Sequence, residues 1–497
     1  MHTIAHRIGG HDVIGPHDGR GPIFNPATGE QERNVAFANA ETVNLAVADS
    51  VRAAALWAKS SLSARTEVLF QFRALVASHA QQLAEVVANE HGKVVADGLG
   101  EVARGLENVE FACGLGEHLK GSFAHEVATG VDVSSLHAPL GVVVGITPFN
   151  FPVMVPLWMA ANAIACGNAF LLKPSEKDPS AALLLADLWE QAGLPAGVFN
   201  VLHGDRTVVE QLVTHDDVAA ISFVGSTPVA KHLYETGTRY GKRVQALGGA
   251  KNHMVVLADA DVDVAADAAV SAAFGSSGER CMAISVVVCV EPVGDALVEA
   301  IASRTQQLVV GPASDPAAQM GPLISREHHA FVEDLVTDAA KSGATLRVDG
   351  RTCSVAGHED GYFFGPTVVD GVTTTMGVYQ REVFGPVLSV VRVATFDEAV
   401  ALINANPYGN GTAIFTRDGG AARTFVNRVT VGMVGVNVPI PVPVASFSFG
   451  GWKDSLFGSH HMYGPDGFSF FTRTKVTTTR WPDPATSSVD LGFPRTR

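Results

Sequence analysis

The chain has 497 residues, of which 47% are apolar and 17% charged, and its formal net charge is −15. This length predicts two or three domains, and the apolar content excludes an intrinsically disordered chain. The acidic balance argues against a duplex nucleic-acid partner, which would require a basic face. The net charge does not exclude an anionic cofactor, because local N–H groups and single cations bind phosphates regardless of net charge.

The cysteines and the N-terminal residues predict a reducing, cytoplasmic location. The five cysteines are scattered and lack CxxC spacing, so neither a disulfide framework nor a metal site is expected. No apolar run follows a basic patch after Met1, so no signal peptide is expected. The stretch Leu140–Ile164 is apolar but interrupted by prolines and asparagines, so no membrane span is expected either.

The N-terminal quarter of the chain predicts short strands or coil followed by helices. The strand-forming part extends to about Ile23, and Asn25–Glu30 has the composition of a turn. Beyond Glu41, apolar residues recur at helical spacing in four successive segments, the third of which ends near His91 before Gly92. The apolar stripe of the fourth helix consists of Leu99, Val102, Leu106, Val109 and Cys113.

From residue 142 onward, short β-rich runs alternate with helical segments. This alternation predicts an α/β fold with a doubly wound parallel sheet covered by helices on both faces. The predicted strands of the first α/β region are Val142–Ile146, Ala169–Lys173, Val198–Leu202, Ala219–Val224, Val244–Leu247 and Val255–Leu257. The second α/β region extends from about Ala258 to Val438, with strands near Val286–Val290, Thr367–Val369 and Val387–Val393.

The Thr-rich tail Phe468–Trp481 alternates in polarity, which predicts a strand. Together with Val127–His137 it is expected to form a projecting β-ribbon. Exposed ribbon edges normally require a partner chain, so the ribbon predicts self-association.

Cys281 is the candidate nucleophile. It lies in Gly278-Glu279-Arg280-Cys281-Met282-Ala283, directly after an arginine. An adjacent cation lowers the pKa of a thiol and favours the reactive thiolate. The alternative is that Cys281 is a small buried hydrophobic residue, the usual role of an isolated cysteine.

Polar residues follow several predicted strands, where ligands bind in open parallel sheets. In the loop Thr147–Pro152, the Asn150 amide could donate to an oxyanion or cap the next helix. Lys173 and Glu176 could hold a ribose or phosphate, or form a surface ion pair. Gly225-Ser226-Thr227 could present helix N–H groups to an anion. No GxGxxG fingerprint follows any predicted strand.

The order of these motifs resembles the aldehyde dehydrogenase superfamily over nearly the full chain. The matching motifs are Asn150, Lys173 with Glu176, Gly225-Ser226, Gly248-Gly249, Cys281, Glu382-Val383-Phe384-Gly385-Pro386 and Phe449-Gly450-Gly451. Hydrolytic members carry a glutamate that activates the deacylating water, and Ala246 stands at that place and cannot accept a proton. The stretches Gly249–His253, Gly278–Ala283 and Phe447–Ser455 are similar to the methylmalonate-semialdehyde dehydrogenase branch, which transfers its acyl group to coenzyme A.

The resemblance implies a role for each site residue and no metal. Cys281 would attack the aldehyde, and the Asn150 amide with a main-chain N–H would stabilise the oxyanion. Arg280 and Arg104 would bind the substrate carboxylate, although the position of Arg104 opposite its helix's apolar stripe by itself indicates a surface arginine. The residues that would contact NAD are Thr147, Phe149, Lys173, Glu176, Lys177, Ser226, Gly248 and Glu382. Because Glu176 would repel a 2′-phosphate, NAD is expected rather than NADP.

The same resemblance implies a domain plan and a homotetramer, a dimer of dimers. Residues 1–124 and 143–255 would form the NAD-binding domain, 256–440 the catalytic domain, and 125–142 with 465–485 the oligomerisation ribbon. The expected reaction converts malonate or methylmalonate semialdehyde to acetyl-CoA or propionyl-CoA. The choice between these substrates, and between valine and inositol breakdown, stays open. The alternatives are a hydrolytic aldehyde dehydrogenase that releases a free acid and a non-catalytic NAD-binding protein.

Overall fold

The computed structural model describes residues 2–15, 17–482 and 485, and these residues form an α/β protein with two large sheets. The helices are α1 (Ala40–Trp57), α2 (Leu62–Ser78), α3 (Ala80–His91), α4 (Val95–Cys113), α5 (Leu115–His118), α6 (Met154–Ala165), α7 (Ser180–Gln191), α8 (Arg206–Thr214), α9 (Thr227–Arg239), α10 (Val262–Phe274), α11 (Gly294–Thr305), α12 (Arg326–Lys341), α13 (Gly377–Gln380), α14 (Phe396–Ala405), α15 (Gly419–Arg428) and α16 (Gly464–Phe470).

The strands contribute to the two large sheets and to three small ones. They are β1 (Thr3–Ile4), β2 (His6–Ile8), β3 (His11–Val13), β4 (His17–Asn25), β5 (Glu30–Ala38), β6 (Phe123–Ala128), β7 (Val131–Pro139), β8 (Val142–Ile146), β9 (Ala169–Lys173), β10 (Phe199–Val201), β11 (Val218–Val224), β12 (Arg243–Leu247), β13 (Asn252–Val256), β14 (Ile284–Val290), β15 (Thr345–Val348), β16 (Thr367–Asp370), β17 (Val387–Val393), β18 (Tyr408–Gly409), β19 (Gly411–Phe415), β20 (Met433–Val436), β21 (Trp452–Lys453), β22 (Leu456–Phe457) and β23 (Thr472–Arg480).

The first large sheet has the order β22-β12-β11-β8-β9-β10-β2-β3. Its five central strands are parallel, and β8 and β9 are buried along their whole length. The chain adds β9 and β10 on one side of β8 and then returns to add β11 and β12 on the other. A crevice therefore opens beyond the carboxyl ends of β8 and β11, where doubly wound sheets bind nucleotides.

The second large sheet has the order β15-β16-β17-β14-β13-β19-β20, and its strands are parallel except for β15. The strand predicted at Val255–Leu257 as the last of the first region is instead β13, which starts at Asn252 and pairs with β14 and β19. The run of parallel strands in the first sheet thus ends with β12 at Leu247, and β22 pairs with β12 from much later in the chain. The short segment Gly248–Lys251 crosses from one sheet to the other.

A separate three-stranded antiparallel sheet has the order β23-β7-β6, and we call it the ribbon. β23 pairs with β7 along its whole length, from Thr472 to Arg480. The tail does not become a strand at Phe468, as its alternation predicted, because Phe468 and Phe470 are buried at the end of α16. Residues 483 and 484 of the predicted ribbon segment lie outside the described residues.

Among the residues that the structure describes, no helix combines the length and the apolar character needed to cross a membrane.

Candidate active site

Cys281 follows a tight turn at the end of α10. Ser276 and Ser277 adopt left-handed backbone conformations with φ of 53° and 55°. Gly278 also has a positive φ of 71°, and a Cβ atom there would lie 2.2 Å from the main-chain oxygen of Gly385. Only glycine therefore allows the turn to approach the loop that carries Glu382. This close approach explains the glycine of the Gly-Glu-Arg-Cys motif.

Two asparagine side chains hold the nucleophile loop in place. The carbonyl oxygen of Cys281 accepts hydrogen bonds from Asn252 Nδ2 at 2.9 Å and from Asn410 Nδ2 at 3.1 Å. Asn252 Nδ2 also donates to the main-chain oxygen of Ala283 at 2.9 Å. The loop is thus fixed by residues at the starts of β13 and β19. Asn410 was not among the predicted site residues, because it precedes an ordinary buried strand.

The thiol of Cys281 is not acidified, contrary to the prediction from its neighbour Arg280. Burial raises the pKa of Cys281 to about 12, and the Glu382 carboxylate adds to the rise. The main-chain N–H groups of Cys281 and Met282 and the Arg280 guanidinium oppose this rise only weakly. The Arg280 guanidinium also forms an ion pair with Asp97, Nη2 to Oδ1, at 2.7 Å. Burial thus favours the neutral form of this thiol.

Asn150 is buried and fixed at two points beside the nucleophile loop. Its Nδ2 donates to the main-chain oxygen of Glu279 at 2.8 Å, and its own main-chain oxygen accepts from Lys93 Nζ at 2.6 Å. Asn150 does not cap the next helix, the alternative that the sequence left open. The main-chain N–H groups of Val153 and Met154, at the start of α6, instead donate to Glu101 Oε1 at 2.7 and 3.1 Å.

Arg104 and Arg280 line the same cavity as Cys281, which has a volume of about 360 Å³. Arg104 Nη1 contacts the Glu107 carboxylate at 2.8 and 3.0 Å, and its Nη2 donates to the main-chain oxygens of Val442 and Pro443 at 3.2 and 3.4 Å. The Arg104 side chain is 36% exposed. It is therefore a cavity-lining group and not only a solvated surface arginine, as its place on the helix had indicated.

The remaining wall of this substrate cavity is mainly apolar. Its apolar side chains are Phe151, Met154, Trp158, Met282, Ile440, Val442 and Phe449. Apolar walls exclude water and so strengthen the attraction between the guanidinium groups and an anion. The cavity thus combines one nucleophile with two cations in a largely apolar chamber.

A separate cleft of about 570 Å³ lies at the carboxyl ends of the first sheet. Six of the eight predicted cofactor-contacting residues line it, namely Thr147, Phe149, Lys173, Glu176, Lys177 and Ser226. Thr147 Oγ1 is buried without a hydrogen-bond partner among the described residues, and Ser226 precedes α9 without capping it through its side chain. Lys173 Nζ binds Glu176 Oε2 at 3.0 Å. An unpaired hydroxyl, a carboxylate and an open helix N-terminus fit the ribose and phosphate groups of a dinucleotide.

The other two predicted cofactor residues, Gly248 and Glu382, are not among the residues that line this cleft. Glu382 lines a small pocket together with Cys281, and its Oε1 accepts from the main-chain N–H of Ala250 at 2.9 Å. Burial raises the pKa of Glu382 to about 7. A Cβ atom at Gly248 would lie 2.8 Å from Thr227 Oγ1 and 2.7 Å from the main-chain oxygen of Asp454, so glycine is required where the chain passes the start of α9.

Three charged residues of the site were missed by the sequence analysis: Lys93, Asp97 and Glu101. Asp97 and Glu101 line the substrate cavity together with Arg104. Asp97, Glu101 and Arg104 are spaced i, i+4 and i+7, so they lie on one face of α4. This polar face, opposite the apolar stripe, is the sequence pattern from which Asp97 and Glu101 could have been predicted as site residues.

Comparison with known proteins agrees with this geometry. The model of the aldehyde dehydrogenase family matches residues 14–477. A malonate-semialdehyde dehydrogenase of Pseudomonas aeruginosa is 51% identical over 99% of this chain and 100% of its own length. Malonate-semialdehyde dehydrogenase 1 of Geobacillus thermodenitrificans is 45% identical over 97% of this chain and 99% of its own length.

Two solved structures are also similar over nearly their whole length. The crystal structure of methylmalonate-semialdehyde dehydrogenase from Oceanimonas doudoroffii has a TM-score of 0.96 and 51% identity, and covers 98% of this chain and 99% of its own. A Sinorhizobium meliloti protein named as the same enzyme, in complex with NAD, has a TM-score of 0.97 and 47% identity with the same coverage. The chain belongs to the aldehyde dehydrogenase family.

Proposed function

We propose that the protein catalyses the NAD-dependent, coenzyme A-acylating oxidation of malonate or methylmalonate semialdehyde, with loss of CO2, to acetyl-CoA or propionyl-CoA. The observation that carries this proposal is the convergence of Cys281, Arg104 and Arg280 on one cavity. A thiol and two guanidinium groups suit a small aldehyde that also bears a carboxylate. The names of the most similar relatives support the same substrate class.

Substrate recognition would place the carboxylate between the two arginines. Asp97 occupies Nη2 of Arg280, which leaves further N–H groups of its planar guanidinium for a second carboxylate. Arg104 lies on α4 and is oriented by Glu107 and by two main-chain oxygens. The aldehyde end then lies toward Cys281.

In the oxidative half of the reaction, the sulfur of Cys281 forms a bond to the carbonyl carbon, and the thiol proton leaves to solvent. The carbonyl oxygen accepts hydrogen bonds from the Asn150 amide and from the main-chain N–H of Cys281. NAD bound in the cleft of the first sheet would supply the hydride acceptor that converts the adduct to a thioester. Glu382 and Glu176 would each accept hydrogen bonds from ribose hydroxyls.

In the second half, the β-carboxylate of the acyl group leaves as CO2, and its bonding electrons pass into the thioester carbonyl. The resulting enolate takes a proton at carbon and gives an acetyl or propionyl thioester on Cys281. The thiol of coenzyme A then attacks this thioester, releases the product and returns Cys281 to the thiol state.

Transfer to a thiol rather than to water is supported by position 246, which carries no side chain that could accept a proton, and by the pairing of the carboxylates of the substrate cavity. Ala246 lies fully buried in β12, where hydrolytic relatives carry the activating glutamate. The two carboxylates of the substrate cavity are engaged, Asp97 with Arg280 and Glu101 with Lys93. A good nucleophile such as a thiol has less need of such a base.

The test is product identification by mass spectrometry after mixing enzyme, NAD and malonate semialdehyde with and without coenzyme A. We expect a burst of one NADH per active site without coenzyme A, then slow turnover, and rapid formation of acetyl-CoA once it is added. Free acid released at the full rate without coenzyme A would establish the hydrolytic alternative instead.

We further propose that the ribbon mediates assembly into a homotetramer in the cytoplasm. The ribbon exposes large apolar side chains, among them Phe123, Leu136 and Val476, which a second copy would cover. All five cysteines are unpaired, which suits a reducing compartment. Sedimentation of a Leu136→Asp variant should show smaller species than the wild type, and an unchanged mass would refute this role.

A further inference from the structure

We propose that Lys93 and Glu101 are positioning residues that hold the Asn150 amide in its place beside Cys281. This inference rests on the proposed role of Asn150 as an oxyanion donor. It goes beyond that role because it assigns the placement of the donor to an ion pair between the fully buried Lys93 and Glu101, a residue of the cavity wall.

The ammonium of Lys93 is surrounded by fixed partners. Its side chain is fully buried, and Nζ lies 2.8 Å from Glu101 Oε2 and 2.6 Å from the main-chain oxygen of Asn150. Nζ also lies 4.6 Å from the centre of the Phe151 ring. An ammonium with these three partners has one favourable position, and the carbonyl of Asn150 is held with it.

Glu101 holds the other end of the same segment. Its Oε2 binds Lys93, and its Oε1 accepts hydrogen bonds from the N–H groups of Val153 and Met154 at 2.7 and 3.1 Å. One ion pair therefore fixes both residue 150 and residues 153–154. A shift of this segment would leave hydrogen-bonding positions of two buried charged groups without partners, which is unfavourable.

The fixed backbone directs the Asn150 side chain to the nucleophile loop. Asn150 Nδ2 donates to the main-chain oxygen of Glu279, two residues before Cys281. The chain of contacts thus runs from Lys93 through Asn150 to the residue that precedes Arg280. Because Glu101 and Arg104 lie on the same helix, the pair also fixes the distance between the oxyanion donor and the carboxylate-binding arginine.

The experiment measures the rate constant of the NADH burst, per active site titrated by burst amplitude, in the Lys93→Met variant. We expect a decrease of roughly 10- to 100-fold with both malonate semialdehyde and propanal, because a misplaced donor slows addition to any aldehyde. The Kd for NAD should stay within about twofold of the wild-type value. A purely structural role would instead lower the fraction of active sites and the Tm, and leave the burst rate of the surviving sites unchanged.

A double-mutant cycle with Asn150→Ala tests whether Lys93 acts through Asn150. The double variant should be no slower than Asn150→Ala alone, within about twofold, because the positioned group is already gone. Multiplied losses would overturn the inference. If Asn150→Ala alone leaves the burst rate unchanged, the oxyanion role in the proposed function fails, and the inference that rests on it fails as well.

Two further variants keep the test decisive if Lys93→Met does not fold. Glu101→Gln keeps an oxygen for Val153 and Met154 but removes the charge opposite Lys93, and it should slow the burst several-fold. Lys242→Met is the matched control, because the buried Lys242 ammonium binds the main-chain oxygens of His215 and Val218 at the first sheet. It should lower the Tm without changing the burst rate. A Glu101→Gln burst rate equal to that of the wild type would overturn the inference.

Discussion

Helix α4 and the loop that carries Cys281 face the same cavity, but they hold their functional groups by different means. On α4, Arg104 is paired with Glu107, and Asp97 reaches across to Arg280. In the nucleophile loop, the main chain of Cys281 is held by uncharged amides, those of Asn252 and Asn410.

The difference separates recognition from reaction. Partly exposed ion pairs can exchange or share a carboxylate with a substrate, because solvent limits the cost of separating the charges. Neutral amides fix the position of the sulfur without supplying a compensating charge, and burial then raises the pKa of Cys281. Changes at Arg104 and Asp97 should therefore alter which aldehyde is used, whereas changes at Cys281 should alter whether any aldehyde reacts.

The largest expected effect comes from Cys281→Ala. We expect kcat to fall at least about 10⁴-fold with every aldehyde, because the bond-forming atom is removed. NAD binding and the Tm should stay close to those of the wild type. The matched control is Cys353→Ala, since Cys353 is also a partly buried free cysteine but lies outside the site. Residual turnover near the wild-type rate would remove the nucleophile assignment.

The next largest effect is expected for Arg104→Leu, and it should be selective. Loss of one guanidinium should lower kcat/KM for malonate semialdehyde about 100-fold and leave that for propanal within about threefold. Steady-state kinetics with the two aldehydes measure the difference. Arg73→Leu provides a control, because Arg73 pairs with Glu110 of the same helix at the exposed surface. Equal losses with both aldehydes would contradict a carboxylate-binding role.

A smaller selective effect is expected for Asp97→Asn. The amide retains an oxygen for the N–H of Ser276, which Asp97 Oδ2 accepts at 2.9 Å, but it no longer holds the Arg280 guanidinium by charge. We expect kcat/KM for malonate semialdehyde to fall roughly tenfold, with little change for propanal. An increase for the carboxylated aldehyde would show instead that Asp97 competes with the substrate for Arg280.

The smallest effect concerns pH and cofactor affinity. Burial raises the pKa of Glu382 to about 7, so its carboxyl group is protonated below that pH and ionised above it. The ionised form is the stronger acceptor for ribose hydroxyls, so the affinity for NAD should increase several-fold between about pH 6 and pH 8. Burial also lowers the pKa of Lys251 to about 7, so the same range must be measured in Glu382→Gln. A pH dependence that persists in that variant would assign it to another group.

The elements of the fold that could be predicted are those with a clear local pattern of apolar residues. β8, β9 and β17 have the predicted bounds, because each is a short, mainly apolar run that is buried for most of its length. The assignment of β13 to the second sheet could not be predicted, because a fully buried strand carries no mark of which sheet it joins. The prediction near the end of the chain was wrong at Phe468 and Phe470, whose alternation suits a strand but which lie in α16.

The candidate site likewise has features that the sequence predicts and features that it does not. Motif residues such as Cys281 and Asn150 were identifiable because they stand in recognisable stretches of sequence. The raised pKa of the thiol was not, because it comes chiefly from burial in the folded chain, which the neighbouring arginine in the sequence does not reveal. Lys93 could not be predicted as a site residue, because a lysine in the connection between two helices is ordinarily solvated.

The spacing of Asp97, Glu101 and Arg104 on one face of α4 has a consequence for altering this enzyme. The opposite face of the helix packs into the protein interior through Val102 and Val109, so the outward selectivity groups can be exchanged without repacking that interior. A library restricted to positions 97 and 104 would sample new aldehydes while the anchor at 101 stays untouched. Substitutions at these two positions are therefore expected to change the aldehyde preference while the interior packing of the helix is retained.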